Sequence, residues 1–257
     1  MNRTIQHLSH LLATALVLLA MANCTADALP GTTDTAATDA GIPLRFAIPP
    51  RAAYADDRAD TRVAQSADYA LWEEGDVIWL GSTSRISRDI VRRSSALIYH
   101  GGAWLPFTEE ETARYATADI PGFERVLKWH PQTTDYTLTA YYAGSGIPLR
   151  GVITINDART PALTTDVMTT APTPVANADV PVVLTFLHRC FRVQGGTADK
   201  VLSGVGCHTT LDVARLATQD SDSALSTIEG CTLTLPGSAS PGYYFVIAEG
   251  SIAPDNL

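Results

Sequence analysis

The apolar pattern is strongest from Val180 to Val193, VPVVLTFLHRCFRV, the longest strand-like run beyond the N-terminal 24 residues. β-branched and aromatic residues dominate its first half and no glycine interrupts it. Val182, Leu184, Phe186, His188 and Cys190 share one face, and Val183, Thr185, Leu187, Arg189, Phe191 and Val193 share the other. Both faces are apolar at the start, so neither is expected to lie wholly in water. The run reads as one strand with partners on both sides. A looser Thr/Pro/Ala segment, 160–179, precedes it, and the run is therefore placed first in a second domain.

Shorter runs flank it. Ile42–Ile48 is a short strand stopped by Pro49-Pro50, which cannot continue a ladder. Val77–Leu80 is a strand entered from a Glu-Glu-Gly-Asp turn. Ala96–Phe107 is a hairpin about Gly101-Gly102, a pair that supplies positive φ. Tyr136–Ala143 alternates with period two, and Leu149–Ile155, Lys200–Gly206, Cys231–Leu235 and Tyr243–Glu249 follow. LDVARLA (211–217) fits a helix or a strand. Residues 82–95, with Arg85, Arg88, Arg92 and Arg93, read as a solvated loop; an anionic-ligand patch is the alternative. The expectation is an all-β protein with an N-terminal sandwich domain at 42–175 and a short C-terminal one at 176–257.

The N-terminus is patterned differently. Arg3 precedes Leu11–Ala22, an apolar run of signal-sequence length that ends close to Cys24. Residues 1–24 read as a lipoprotein signal with Cys24 as the lipidated residue; an ordinary signal with an incidental cysteine is the alternative. Residues 25–41 are small, polar and acidic, and read as a flexible tether.

Composition narrows function by exclusion. The net charge is −9, which disfavours a sequence-independent nucleic-acid binder. Lys128 and Lys200 are the only lysines among 18 basic residues, so an Arg-specific protease has many sites. HGGAW (100–104) is similar to an esterase oxyanion segment, but no serine stands in the G-x-S-x-G elbow that such a segment needs, so no hydrolase is expected. Cys190 and Cys207 with His188 and His208 could supply soft ligands, but the spacing is no zinc signature. A buried thiol with a possible disulfide is expected instead, with no metal or cofactor.

An ordered series of pieces carries a resemblance: Cys24, the short strand, Thr61-Arg62, WEEGDVI (72–78), the Tyr99/Trp104 hairpin, LKWHP (127–131), TAYYA (139–143), DVM (166–168) and VVLTFLH (182–188). Over about residues 20–195 this resembles the fimbrillin-like lipoproteins of Bacteroides-type bacteria. The resemblance implies two tandem transthyretin-like β-sandwiches, anchored in the outer membrane through Cys24 and displayed at the cell surface. It implies a structural or anchor subunit of a fimbria or pilus that supports adhesion. Its partners would be other subunits, joined by donor-strand exchange after Arg-specific cleavage. Arg51, Arg58 and Arg62 follow the first strand in a polar stretch, are expected to be exposed, and are the candidate cut sites. A second reading is a lipid-anchored glycan binder. Its platform would draw on the tryptophans Trp72, Trp104 and Trp129, contacting a host or bacterial surface glycan.

Overall fold

Strand β3 (Val77–Ile86) lies at the centre of the architecture. The computed structural model describes residues 41–51, 71–156, 165–218, 221–240 and 243–248. On one side β3 pairs antiparallel with β4 (Asp89–His100), from Val77 opposite Ile98 to Ile86 opposite Asp89. On the other it pairs with β7 (Thr133–Tyr142). β4 turns through Gly101 and Gly102, at φ of 58° and 84°, into β5 (Ala103–Pro106), as the Gly-Gly signal predicts. Beyond β7 come β9 (Met168–Thr170) and β12 (Phe186–His188), and β10 (Thr173–Pro174) also pairs with β7. These strands form one seven-stranded sheet.

Four apolar residues in succession give a strand with no water-facing side. Val77 and Trp79 enter one core, while Ile78 and Leu80 enter a second on the opposite face. In the first core Trp79 meets Phe107 and Tyr115 edge-on, at centroid distances of 5.8 and 6.2 Å. Ile153, Val167, Leu211, Val213, Leu216 and Phe245 complete much of that core, so residues from both halves of the chain share it. A 3-10 turn, Val213–Ala217, packs directly on β3 and β4. The approach requires Gly81, because a Cβ there would lie 2.9 Å from the Leu216 carbonyl oxygen.

A five-stranded sheet holds β13 (Phe191–Gln194), β16 (Tyr243–Ala248), β14 (Lys200–Asp212) and β15 (Leu225–Leu235) in that order, and β8 (Val152–Thr154) also pairs with β14. Val193, Leu202, Val205, Leu233 and Val246 form a smaller core on it. The one α-helix among the described residues, α1 (Glu109–Arg114), starts in a capping box. The Glu111 N–H donates to Thr108 Oγ1, and the Thr108 N–H donates to Glu111 Oε2.

The all-β class is what the structure shows. Two details of the sequence reading are corrected. The run 180–193 is not one strand. It is β11 (Val182–Val183), β12 and β13, each with a different neighbour. Its alternation persists as far as Phe191, with Val182, Leu184, Phe186 and Cys190 buried, and shifts by one residue in β13, where Val193 of the opposite set is buried. Up to Phe191 the other face lies in water after all: Val183, Leu187 and Phe191 are 57, 55 and 58% exposed. Residues 82–95 are no loop but most of the β3–β4 hairpin, because small serines at 82, 84, 94 and 95 take the inward positions. β9 and β12, which lie on either side of residue 175 in the chain, pair with each other. LDVARLA is divided between the end of β14 and the 3-10 turn.

Candidate first-strand groove

The first described segment holds two short strands, β1 (Ile42–Pro43) and β2 (Phe46–Ala47). β1 pairs antiparallel with β6 (Lys128–Trp129), and β2 pairs parallel with β11. Alternation decides which side chains enter the protein. Leu44 is buried, and Phe46 and Ile48 pack partly buried beside it in the second core; Pro43, Arg45 and Ala47 face out. Main-chain bonds hold the segment at both flanks. Leu44 N–H donates to Leu127 O at 2.9 Å, Val182 N–H to Arg45 O at 2.8 Å, and Leu184 N–H to Ala47 O at 3.0 Å. Arg45 also donates through Nη2 to Asp179 O. The segment thus occupies a groove between β6 and β11, with an apolar floor.

Arg51 closes the end of this groove and is not exposed. Its side chain and that of Asp76 are each 7% accessible, and Nη2 donates to Asp76 Oδ2 at 2.5 Å. The same Nη2 lies 3.0 Å from Tyr142 Oη, and the guanidinium sits 4.8 Å from the ring centroids of both Trp72 and Tyr142. Asp76 Oδ1 accepts the Tyr142 hydroxyl proton at 2.9 Å, and Oδ2 accepts the Glu73 N–H at 2.7 Å. Burial, opposed by Arg51, pushes the Tyr142 hydroxyl above the ordinary phenol range, so it stays a donor. Trp72 Nε1–H donates to Pro49 O at 2.9 Å. Arg51 is thus held in a lock of charge, hydrogen bonds and aromatic faces. Arg58, Arg62 and Cys24 lie outside the described residues.

The chain matches no family model, no curated protein and no solved structure.

The tryptophans form no exposed platform. Trp72 is buried, edge-on to Trp104 at 5.0 Å, Tyr142 at 5.4 Å and Phe186 at 5.7 Å. Trp104 packs partly buried against Tyr99, and Trp129 stacks on Tyr136 at 6.0 Å. All three belong to the second core or its rim.

The remaining chemistry-bearing groups are arranged as structure. Cys190 and Cys207 are buried thiols and Cys231 is half-buried, with no disulfide among them. Burial, reinforced by the Asp166 carboxylate, pushes the Cys190 thiol up to about 12, which removes it as a nucleophile at neutral pH. His188 Nδ1 lies 2.7 Å from Asp166 Oδ2 in a buried pair. His208 is held down at about 4, mainly by burial. Among the described residues no three His, Cys, Asp or Glu side chains could hold a metal ion. In HGGAW the Gly101 N–H already donates to Glu74 Oε2 at 3.0 Å, and His100 pairs with Glu74. A depression of about 480 Å³ beside α1 holds Glu109 and Arg125 but no serine, cysteine or histidine.

The sequence reading missed Asp76 and Tyr142. Asp76 falls in a turn where acids are common, and its partner is 25 residues away.

Proposed function

We propose that this chain is a lipid-anchored surface protein, held at the outer membrane by Cys24, that serves as a structural or anchor subunit of a fimbria and has no catalytic activity. Neighbouring subunits join by replacing one another's first strand after Arg-specific cleavage. The observation that carries the reading is the segment 42–48. It supplies Leu44, Phe46 and Ile48 to the core, yet its sheet pairing is two residues with β6 and two with β11. Once cut from the chain that follows, such a segment binds as a peptide would, by strand addition with side chains in alternate pockets. Its departure exposes main-chain groups of β11 together with apolar floor, the combination that accepts a foreign strand. The burial of Arg51 shields that residue from a protease active site, so the cut falls to Arg58 or Arg62. The inward packing of Trp72 and Trp104 gives the glycan-binding reading no comparable support.

The test replaces Arg58 and Arg62 together by alanine in the full chain. Wild type treated with an Arg-specific protease should run as a ladder of polymers when unheated and collapse to one band when boiled. The double variant should stay monomeric. Polymers from the uncut double variant would refute strand release as the route of assembly.

A further inference from the structure

Departure of the first strand would do more than open an apolar groove. It would remove Arg51 from Asp76, whose side chain is 7% accessible while the pair is made, and leave the carboxylate without that cation. Removing one member of a buried ion pair is far costlier than removing both, because the remaining charge cannot recover its hydration. The carboxylate is fixed from two other directions, by the Glu73 N–H on Oδ2 and the Tyr142 hydroxyl on Oδ1, so it cannot swing out to water without breaking those bonds. The walls are the faces of Trp72 and Tyr142, each 4.8 Å from the guanidinium carbon. A flat cation fits between two aromatic faces and an acid better than a compact ammonium does. A strand that filled only the apolar positions would leave this corner uncompensated.

Resting on the strand-exchange reading, we propose that Asp76, Trp72 and Tyr142 form a guanidinium socket that selects the replacement strand. The occupant is an extended segment of another subunit, with apolar residues at alternate positions matching Leu44, Phe46 and Ile48. It carries an arginine three residues beyond the last of them, as Arg51 follows Ile48. The apolar positions give affinity, and the arginine fixes register and discriminates among candidate strands. Lysine at that place reaches Asp76 but does not fill the space between the rings.

Two arms test this. In the first, the full chain is cut with an Arg-specific protease and offered a labelled peptide of residues 41–51, or the same peptide with methionine in place of Arg51 and Arg45 kept. The arginine peptide should enter and the methionine peptide should bind at least about tenfold more weakly. In Asp76→Asn the two should bind alike. In the second arm, uncut Arg51→Ala is warmed with and without millimolar methylguanidinium. The cation should raise its melting temperature and leave Arg51→Ala/Asp76→Asn unchanged. Equal binding of both peptides to the cut wild type, or an equal methylguanidinium shift in both variants, overturns the socket. If neither peptide enters while the methylguanidinium effect survives, strand exchange itself fails, and with it the selection of a foreign strand, leaving Arg51 as an internal lock.

Discussion

Leu44→Ala is the sharpest perturbation of the first strand. Leu44 is 6% exposed and packs in the second core with Trp72 and Leu127 among its members. Truncating a buried leucine to alanine costs about 2–5 kcal/mol, through lost transfer energy and the cavity left behind. A short segment at the border of the core relaxes more easily than a central strand, so the expected loss is about 2–3 kcal/mol. Urea unfolding of the uncut chain, followed by tryptophan fluorescence, reads it directly. In the cut chain the same loss should reappear as weaker binding of the segment, because the contacts are the same. A loss of 2 kcal/mol corresponds to about 30-fold in dissociation constant. Val183→Ala is the control: Val183 is 57% exposed on the neighbouring β11, and its truncation should cost less than about 0.5 kcal/mol. A Leu44→Ala loss as small as the control would show that the first strand is not a core plug. A full stability loss without a change in segment binding would show that the stability does not come from the segment's own contacts.

His208 makes stability fall with acid. Its folded value of about 4 lies below the ordinary 6.5, so the unfolded chain binds more protons between those values. The stabilisation is complete above about pH 6.5, and up to about 3 kcal/mol is lost as pH falls towards 4. Urea midpoints at pH 7.5 and 5 should differ by less in His208→Gln than in wild type, and equal differences would refute the assignment. Alkylation of the native chain at pH 8 should modify Cys231 ahead of Cys190 and Cys207, whose thiols burial pushes up; early labelling of Cys190 would contradict its environment. Cys24→Ala should move the protein from the membrane fraction to the soluble one, and unchanged membrane association would refute lipidation there.

What the sequence disclosed depended on whether apolar period and pairing coincide. Val77–Leu80, Tyr136–Ala143 and the Gly101-Gly102 turn were legible because the residues that pack are apolar and the turn needs positive φ. Residues 82–95 were illegible because small polar side chains face inward and bond to carbonyl oxygens. Ser82 donates to Arg93 O and Ser84 to Val91 O, so no hydrophobic alternation marks the strands. The run 180–193 misled for the opposite reason: its alternation holds as far as Phe191 while its partner changes from β2 to β9 to β16. The strand at 42–48 was legible as apolar chain stopped by prolines. The lock at its end was not, since a charged residue after Pro49-Pro50 reads as solvent-facing until Asp76 is brought beside it.

The central claim is that the first strand of one subunit is lost when that subunit enters a polymer. Mass spectrometry of chains recovered from purified polymers tests it most directly. Polymerised chains should begin after Arg58 or Arg62 and lack residues 42–48, while monomeric precursor retains them. Polymers whose chains still carry Ile42–Ile48 joined to the rest of the fold would contradict the account.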